Sequence, residues 1–109
     1  MDKIIEGEHF IEKKIPGGKY IKISINIVDG MISGVSISGD FFVYPEHYIE
    51  DLENKLVGLS ADPSEVKAKL ADHNDNFDEP VDFIGLEYND ISQILVECLT
   101  KARPVANFH

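Results

Sequence analysis

The sequence predicts an α+β fold: a three-stranded antiparallel meander followed by about three helices packed on one face. Three observations predict it. Extended segments occupy residues 1–39 and helix signals come afterwards, an order that argues against alternating β-α-β units. Ile21, Ile23, Ile25 and Ile27 alternate with Lys22, Ser24 and Asn26, which gives one dry face and one wet face. Ile91, Ile94, Leu95, Cys98 and Leu99 follow the i, i+3, i+4, i+7, i+8 spacing of an apolar helical stripe.

Residues 3–15 read as the first strand. Phe10, Ile11 and Ile15 are apolar there, but poor alternation leaves the inward face open. Pro16-Gly17-Gly18 is a turn signal. The second strand runs from Lys19 to Val28. Asp29-Gly30 suits a two-residue hairpin turn, yet that loop would pair Ile27 with Ile32 and Ile23 with Ser36. Val35 and Ile37 would then face away from the isoleucine row. A three-residue loop of Val28-Asp29-Gly30 pairs Ile27 with Met31, Ile23 with Val35 and Ile21 with Ile37, all on one face. A one-residue slip flips every side chain, so the apolar pattern decides for the three-residue loop. A type I turn is expected, with Gly30 at positive φ in a bulge.

The third strand is expected from about Met31 to Gly39. Pro45 opens a helix at its first turn, with Glu46, Glu50 and Asp51 near its positive end and Ile49, Leu52 and Leu56 inward. Gly58 suits its C-terminal cap. Asp62-Pro63-Ser64-Glu65 starts a second helix, in which Val66 and Leu70 face inward. Residues 72–80 read as an acidic loop and residues 81–86 as briefly extended. Asn89 caps the third helix and Pro104 ends it.

Length and charge bound the function. The 109 residues suit one domain, 1–109, with a short irregular tail over 103–109. At 43% hydrophobic residues the chain can build a core. The net charge of −10 is uneven: residues 1–28 carry +1, 29–69 carry −5, 70–100 carry −8 and 101–109 carry +2. A nucleic-acid binder needs a basic stripe, which this chain lacks. The same lack argues against an anionic membrane surface. No apolar run approaches a bilayer span, and the opening Met1-Asp2-Lys3-Ile4-Ile5-Glu6 is no signal peptide. The single cysteine, Cys98, cannot close an internal disulfide, so a cytoplasmic protein is expected. The acidic stretch reads as a solvated helical side. That points to the sheet end bearing Lys19 and Asp40, away from the acidic loop, as the working face.

Reactive chemistry finds little support. A nucleophilic thiol needs an exposed, electropositive setting. Cys98 instead lies late in a helix, on its apolar stripe, beside Glu97, and reads as a buried small hydrophobe. Asp72-His73-Asn74-Asp75-Asn76-Phe77-Asp78 superficially resembles a calcium loop. It places Phe77 where glycine is required and Phe83 where a bidentate glutamate is required. His9, His47, His73 and His109 show no paired zinc spacing. Pro16-Gly17-Gly18-Lys19 joins two strands instead of opening a helix, so it is no P-loop. No catalytic residue and no metal ligand is assigned. The most unusual feature is Ser38-Gly39-Asp40-Phe41-Phe42. Two adjacent aromatics can hardly both point inward: one plugs the core and the other is free to anchor a partner protein.

Three segments, Lys14-Ile15-Pro16-Gly17-Gly18-Lys19-Tyr20, Asp29-Gly30-Met31-Ile32 and Gly39-Asp40-Phe41-Phe42, resemble the small domain of lipoate–protein ligases. The run from Ile49 to Gly58 resembles that domain's first helix, and Phe83-Ile84-Gly85-Leu86 leading into the Ile91–Leu99 helix matches as well. The resemblance spans roughly residues 10–100, and Gly-Asp-Phe-Phe followed by the Ile-x-x-Leu-x-x-x-Leu helix is its most specific part. It implies a fold similar to iron–sulfur scaffold and sulfur-acceptor proteins. In that family a large catalytic domain activates lipoate with ATP and passes the lipoyl group to a lysine of an acceptor domain. Nothing here matches its arginine- and glycine-rich nucleotide motif.

The resemblance therefore implies the separate accessory subunit of a split, archaeal-type ligase. Such a subunit is non-catalytic alone, forms a heterodimer with the catalytic subunit and is needed for adenylation. Lipoate and ATP with Mg are expected on that partner and no cofactor on this chain. The acceptor lipoyl domain is met only through the complex. Gly39, Asp40, Phe41 and Phe42 are expected at the subunit interface, with Lys19 near the active-site mouth. Two rivals stand beside this reading. A sulfur acceptor or iron–sulfur scaffold needs exposed cysteine. A protein-interaction module unrelated to lipoate needs only a sticky surface.

Overall fold

The isoleucine row sets the architecture. In a computed structural model, which describes residues 6–15, 17 and 19–102, the strands β1 (Gly7–Ile15), β2 (Lys19–Val28) and β3 (Met31–Gly39) form an antiparallel meander. Ile21, Ile23, Ile25 and Ile27 of the central strand are all buried. Strand β1 turns Ile11 and Ile15 to the same side, with Ile11 opposite Ile23. Phe10 faces outward, under the Lys22 ammonium, which lies 5.4 Å from its ring centre. Pro16 and Gly18 of the expected first turn lie outside the described residues.

The β2–β3 hairpin corrects the expected loop. The turn is the two-residue one, with Val28 opposite Met31 and Ile27 opposite Ile32. Asp29 and Gly30 take φ of 54° and 74°, the double positive sign of a type I′ turn. The apolar pattern survives because Ser33 is an additional, bulged residue, after which Asn26 pairs with Gly34. Ile25 then faces Val35 and Ile23 faces Ile37, so Ile32, Val35 and Ile37 share the isoleucine face, whereas Met31, expected on it opposite Ile27, is exposed. The register change foreseen in the loop occurs instead inside the strand. Gly30 has the expected positive φ, but it lies in a type I′ turn and not in the bulge of an expected type I turn.

Helices α1 (His47–Leu56), α2 (Pro63–Asp75) and α3 (Tyr88–Lys101) follow. Helix α1 begins two residues beyond Pro45, whose carbonyl accepts from the Tyr48 N–H at 3.0 Å. Tyr48, Leu52 and Leu56 are its buried residues, with Ile49 partly buried at the edge. Helix α2 starts as expected: Asp62 Oδ2 accepts from the Glu65 N–H, and Pro63 opens the first turn. It runs on to Asp75, so the expected acidic loop begins later than residue 72. Helix α3 is capped by Glu87 and Asp90, not Asn89. Its stripe Ile91, Ile94, Leu95, Cys98 and Leu99 is buried as the spacing predicts. Pro104 and the expected tail lie outside the described residues.

The free edge of β3 is covered. Ile32 donates to the Leu59 carbonyl at 2.8 Å, Gly58 and Ala61 donate back to Ile32 and Gly30, and Ile37 donates to a Glu53 carboxylate oxygen at 2.7 Å. A second, two-stranded sheet was not expected in full. Strand β4 (Phe42–Tyr44) pairs antiparallel with β5 (Asp82–Ile84), which lies within the stretch read as extended. Among the described residues no helix is long and apolar enough to cross a membrane.

Candidate functional site

At the end of β3 the backbone makes a turn that only glycine accommodates. Gly39 has φ 153°, and a Cβ there would run into the Tyr20 carbonyl oxygen and lie 2.9 Å from the Ile21 Cα. That close approach lets the next residue return: Asp40 N–H donates to the same Tyr20 carbonyl at 2.8 Å. The two aromatics then diverge, as their adjacency requires. Phe41 is partly buried and packs on the core, while Phe42 is 65% exposed in β4.

Lys19, Gly39, Asp40, Phe41 and Phe42 all line one open depression of about 440 Å³, with Gly17 completing it. Five residues separated by up to 23 positions in sequence are brought together by the β1–β2 turn and the end of β3. A neighbouring depression of about 470 Å³ is lined by Ile15, Phe83, Gly85, Leu86, Glu87 and Asp90. The two adjoin at Gly85, where a Cβ would lie 3.2 Å from the Asp40 carbonyl and 3.3 Å from the Phe41 Cβ.

This contact corrects the expected separation of the working face from the acidic stretch. Strand β5 and the start of α3 return beside Asp40 and Phe41, and they bring Asp82, Glu87 and Asp90 with them. The candidate surface therefore has acids around it. Sequence reasoning missed Tyr44 and Ile84, which stand beside Phe42 on the same ribbon face. The signal was present in Phe42-Val43-Tyr44, a period-two pattern with a buried valine between two exposed aromatics.

The site offers no reactive pair. Among the described residues Lys19 is the one cation lining its depression, and Asp40 shares that lining, so these residues do not fit a triphosphate. Among the described residues no group of three or more His, Cys, Asp or Glu is placed to hold a metal ion. Cys98 is 1% exposed, its Sγ lies 3.7 Å from the His9 carbonyl, and burial pushes the thiol up to about 11. A thiol so placed is not a nucleophile at neutral pH. Behind the second depression, the buried Tyr48 packs on His73, Phe77 and the depression-lining Phe83, which ties α1 to α2 and to β5.

Comparison with known proteins agrees with this reading of the fold. Residues 5–95 match the family model described as bacterial lipoate protein ligase C-terminus. A solved structure matches over 87% of this chain and 97% of its own, at 27% identity and a TM-score of 0.60. It comes from an archaeal lipoylation system of Thermoplasma acidophilum, described as a bi-partite lipoate protein ligase and its E2 lipoyl domain. No curated protein matches the sequence. With most of its length matched, the chain belongs to the lipoate protein ligase C-terminus family.

Proposed function

We propose that this chain is the non-catalytic accessory subunit of a split lipoate–protein ligase. It binds the catalytic subunit and enables ATP-dependent formation of the lipoyl adenylate, in the cytoplasm. Lipoate, ATP and Mg bind the catalytic subunit; the acceptor lipoyl domain meets this chain only through the complex. The observation that carries the reading is the depression of Lys19, Gly39, Asp40, Phe41 and Phe42, which has a surface to offer and no chemistry of its own. Its likeness to the bi-partite archaeal ligase supports a two-chain arrangement.

The action is a population shift. The catalytic subunit samples conformations of different competence, and an accessory chain raises the competent one only by binding it more tightly than the others. A hundredfold preference supplies about 2.7 kcal/mol. The buried, protonated Cys98 stands against the sulfur-acceptor rival.

The test mixes the full chain with a catalytic subunit, lipoate and ATP. Co-elution and a rise in lipoyl-adenylate formation are expected. Unchanged adenylate formation without co-elution would refute the assignment. Cys98→Ala retains the effect on this reading and loses it on the sulfur-acceptor one.

A further inference from the structure

Three exposed apolar side chains sit together on the outward face of the β4–β5 ribbon. Phe42, Ile84 and Tyr44 are 65%, 51% and 45% exposed. Phe42 and Ile84 are direct cross-strand partners, and the Phe42 and Tyr44 rings stack with centroids 6.5 Å apart. Strand periodicity dictates this grouping: residues i, i+2 and the residue opposite i share a face. The other face is already satisfied. Val43 is buried, and its cross-strand partner Phe83 packs edge-on against Tyr48. A strand pair with one buried face ordinarily turns polar residues to water. This ribbon turns two aromatics and an isoleucine outward, an arrangement that marks a contact surface.

We propose that the outward face of the ribbon, formed by Phe42, Tyr44 and Ile84, is the hot spot on which the catalytic subunit docks, with Phe42 as its anchor. This rests on the accessory-subunit reading above and adds two residues to the expected interface. The face continues through Phe42 into the depression of Lys19, Gly39 and Asp40. Phe41 packs partly buried against the core beside it and also lines the depression.

Charge selects the occupant. Asp82 lies opposite Tyr44, Asp40 lines the depression that Phe42 completes, and Glu87 and Asp90 line the neighbouring one. An apolar centre in a rim of these four acids and Lys19 fits a partner surface with an apolar socket and mainly basic groups around it. A second copy of this chain fits poorly. A two-fold contact sets the same patch against itself, acid against acid. The stacked rings are also pre-ordered, which lowers the side-chain entropy lost on docking.

The experiment titrates the full chain against a catalytic subunit of the split-ligase type and reads the dissociation constant, with sedimentation of each chain alone. The test variant is Phe42→Ser with Ile84→Ser. The control is Phe10→Ser, a 55% exposed aromatic on the open face of the three-stranded sheet. The ribbon variant is expected to weaken binding at least ~30-fold, and the control less than ~3-fold. A ribbon variant that binds like the wild type, when the wild type does bind, overturns the ribbon and leaves the accessory reading standing. Wild type that does not bind at all overturns both. A self-dimer of the wild type that the ribbon variant abolishes also overturns the proposal, because the occupant is then a second copy. Thermal melts separate lost docking from lost folding, and Phe42→Ser alone is the fallback should the double variant unfold.

Discussion

Gly39 shows how much one missing Cβ decides. Its φ of 153° and the Tyr20 carbonyl beside it leave no room for a side chain. Gly39→Ala must move either β2 or the segment that leads to Phe41 and Phe42. The expected cost is about 2–3 kcal/mol, from the strain of a backbone region that other residues rarely adopt. Gly34→Ala is the comparison, since its Cβ would meet nothing nearer than the Asn26 Cβ at 4.0 Å and its φ is ordinary. It should cost less than ~1 kcal/mol, and denaturant unfolding of both variants checks the difference. Equal stabilities would show that the β3 end is not held by this contact. Cys98 gives a second residue-scale expectation. Its thiol is buried and pushed up to about 11, so a thiol reagent at neutral pH should label it only as fast as the protein opens. Rapid labelling of the native chain would contradict its placement. Its burial was legible in the sequence because the helix period alone places position 98 on the apolar stripe.

Among the elements, the sequence was most informative where a period was long and least where two devices gave the same result. The isoleucine row and the α3 stripe each repeat enough to specify a face, and both faces are as expected. The β2–β3 hairpin is different. A three-residue loop, or a two-residue turn plus one bulged residue, both bring Val35 and Ile37 to the core side. Periodicity cannot separate them, because each device shifts the register by one; the Asp29-Gly30 dipeptide favoured the turn actually formed. The candidate residues Lys19, Gly39, Asp40, Phe41 and Phe42 were legible as unusual residues, and the fold does bring them together. Tyr44 and Ile84 were not, because a three-residue strand carries too little pattern to declare its pairing.

The α1–α2 junction hid another feature inside an apparent acidic loop. His73 is 1% exposed, its Nε2 lies 3.2 Å from the Tyr48 carbonyl, and its Nδ1 has no partner among the described residues. The carbonyl partner requires Nε2 to carry the proton, which leaves Nδ1 as an unpaired acceptor. Protonation would add a buried charge and a second N–H with nothing to accept it. Burial accordingly holds His73 below its usual value of 6.5, and the contact with Tyr48 opposes this only in part. The sign follows. The unfolded chain takes up this proton first as pH falls, so stability is complete above about 6.5 and declines below it, through the lower native value. Melting curves between pH 7.5 and 5 should show the decline, and His73→Gln should flatten it. A wild-type curve no steeper than that of His73→Gln would mean that another group carries the effect.

Across the whole molecule, charge and apolar surface divide the work of recognition. The acids of residues 70–100 did not stay apart from the candidate surface, because β5 pairs with β4 and carries Asp82 to its rim. A rim charge acts at long range and on approach, whereas a desolvated aromatic acts after contact. The two should therefore separate in kinetics. Asp82→Lys is expected to slow association with the catalytic subunit by about 2–10-fold at low salt and to leave dissociation almost unchanged. Raising the ionic strength from about 0.02 M to about 0.3 M should shrink that difference, since the screening length falls below the distance over which the rim steers its partner. Phe42→Ser should do the reverse, raising the dissociation rate with little effect on association and little sensitivity to salt. Stopped-flow measurement of both variants at two salt concentrations distinguishes these outcomes. Faster association of Asp82→Lys would mean that the partner presents acids, and a surface with a basic rim could not then be its docking face.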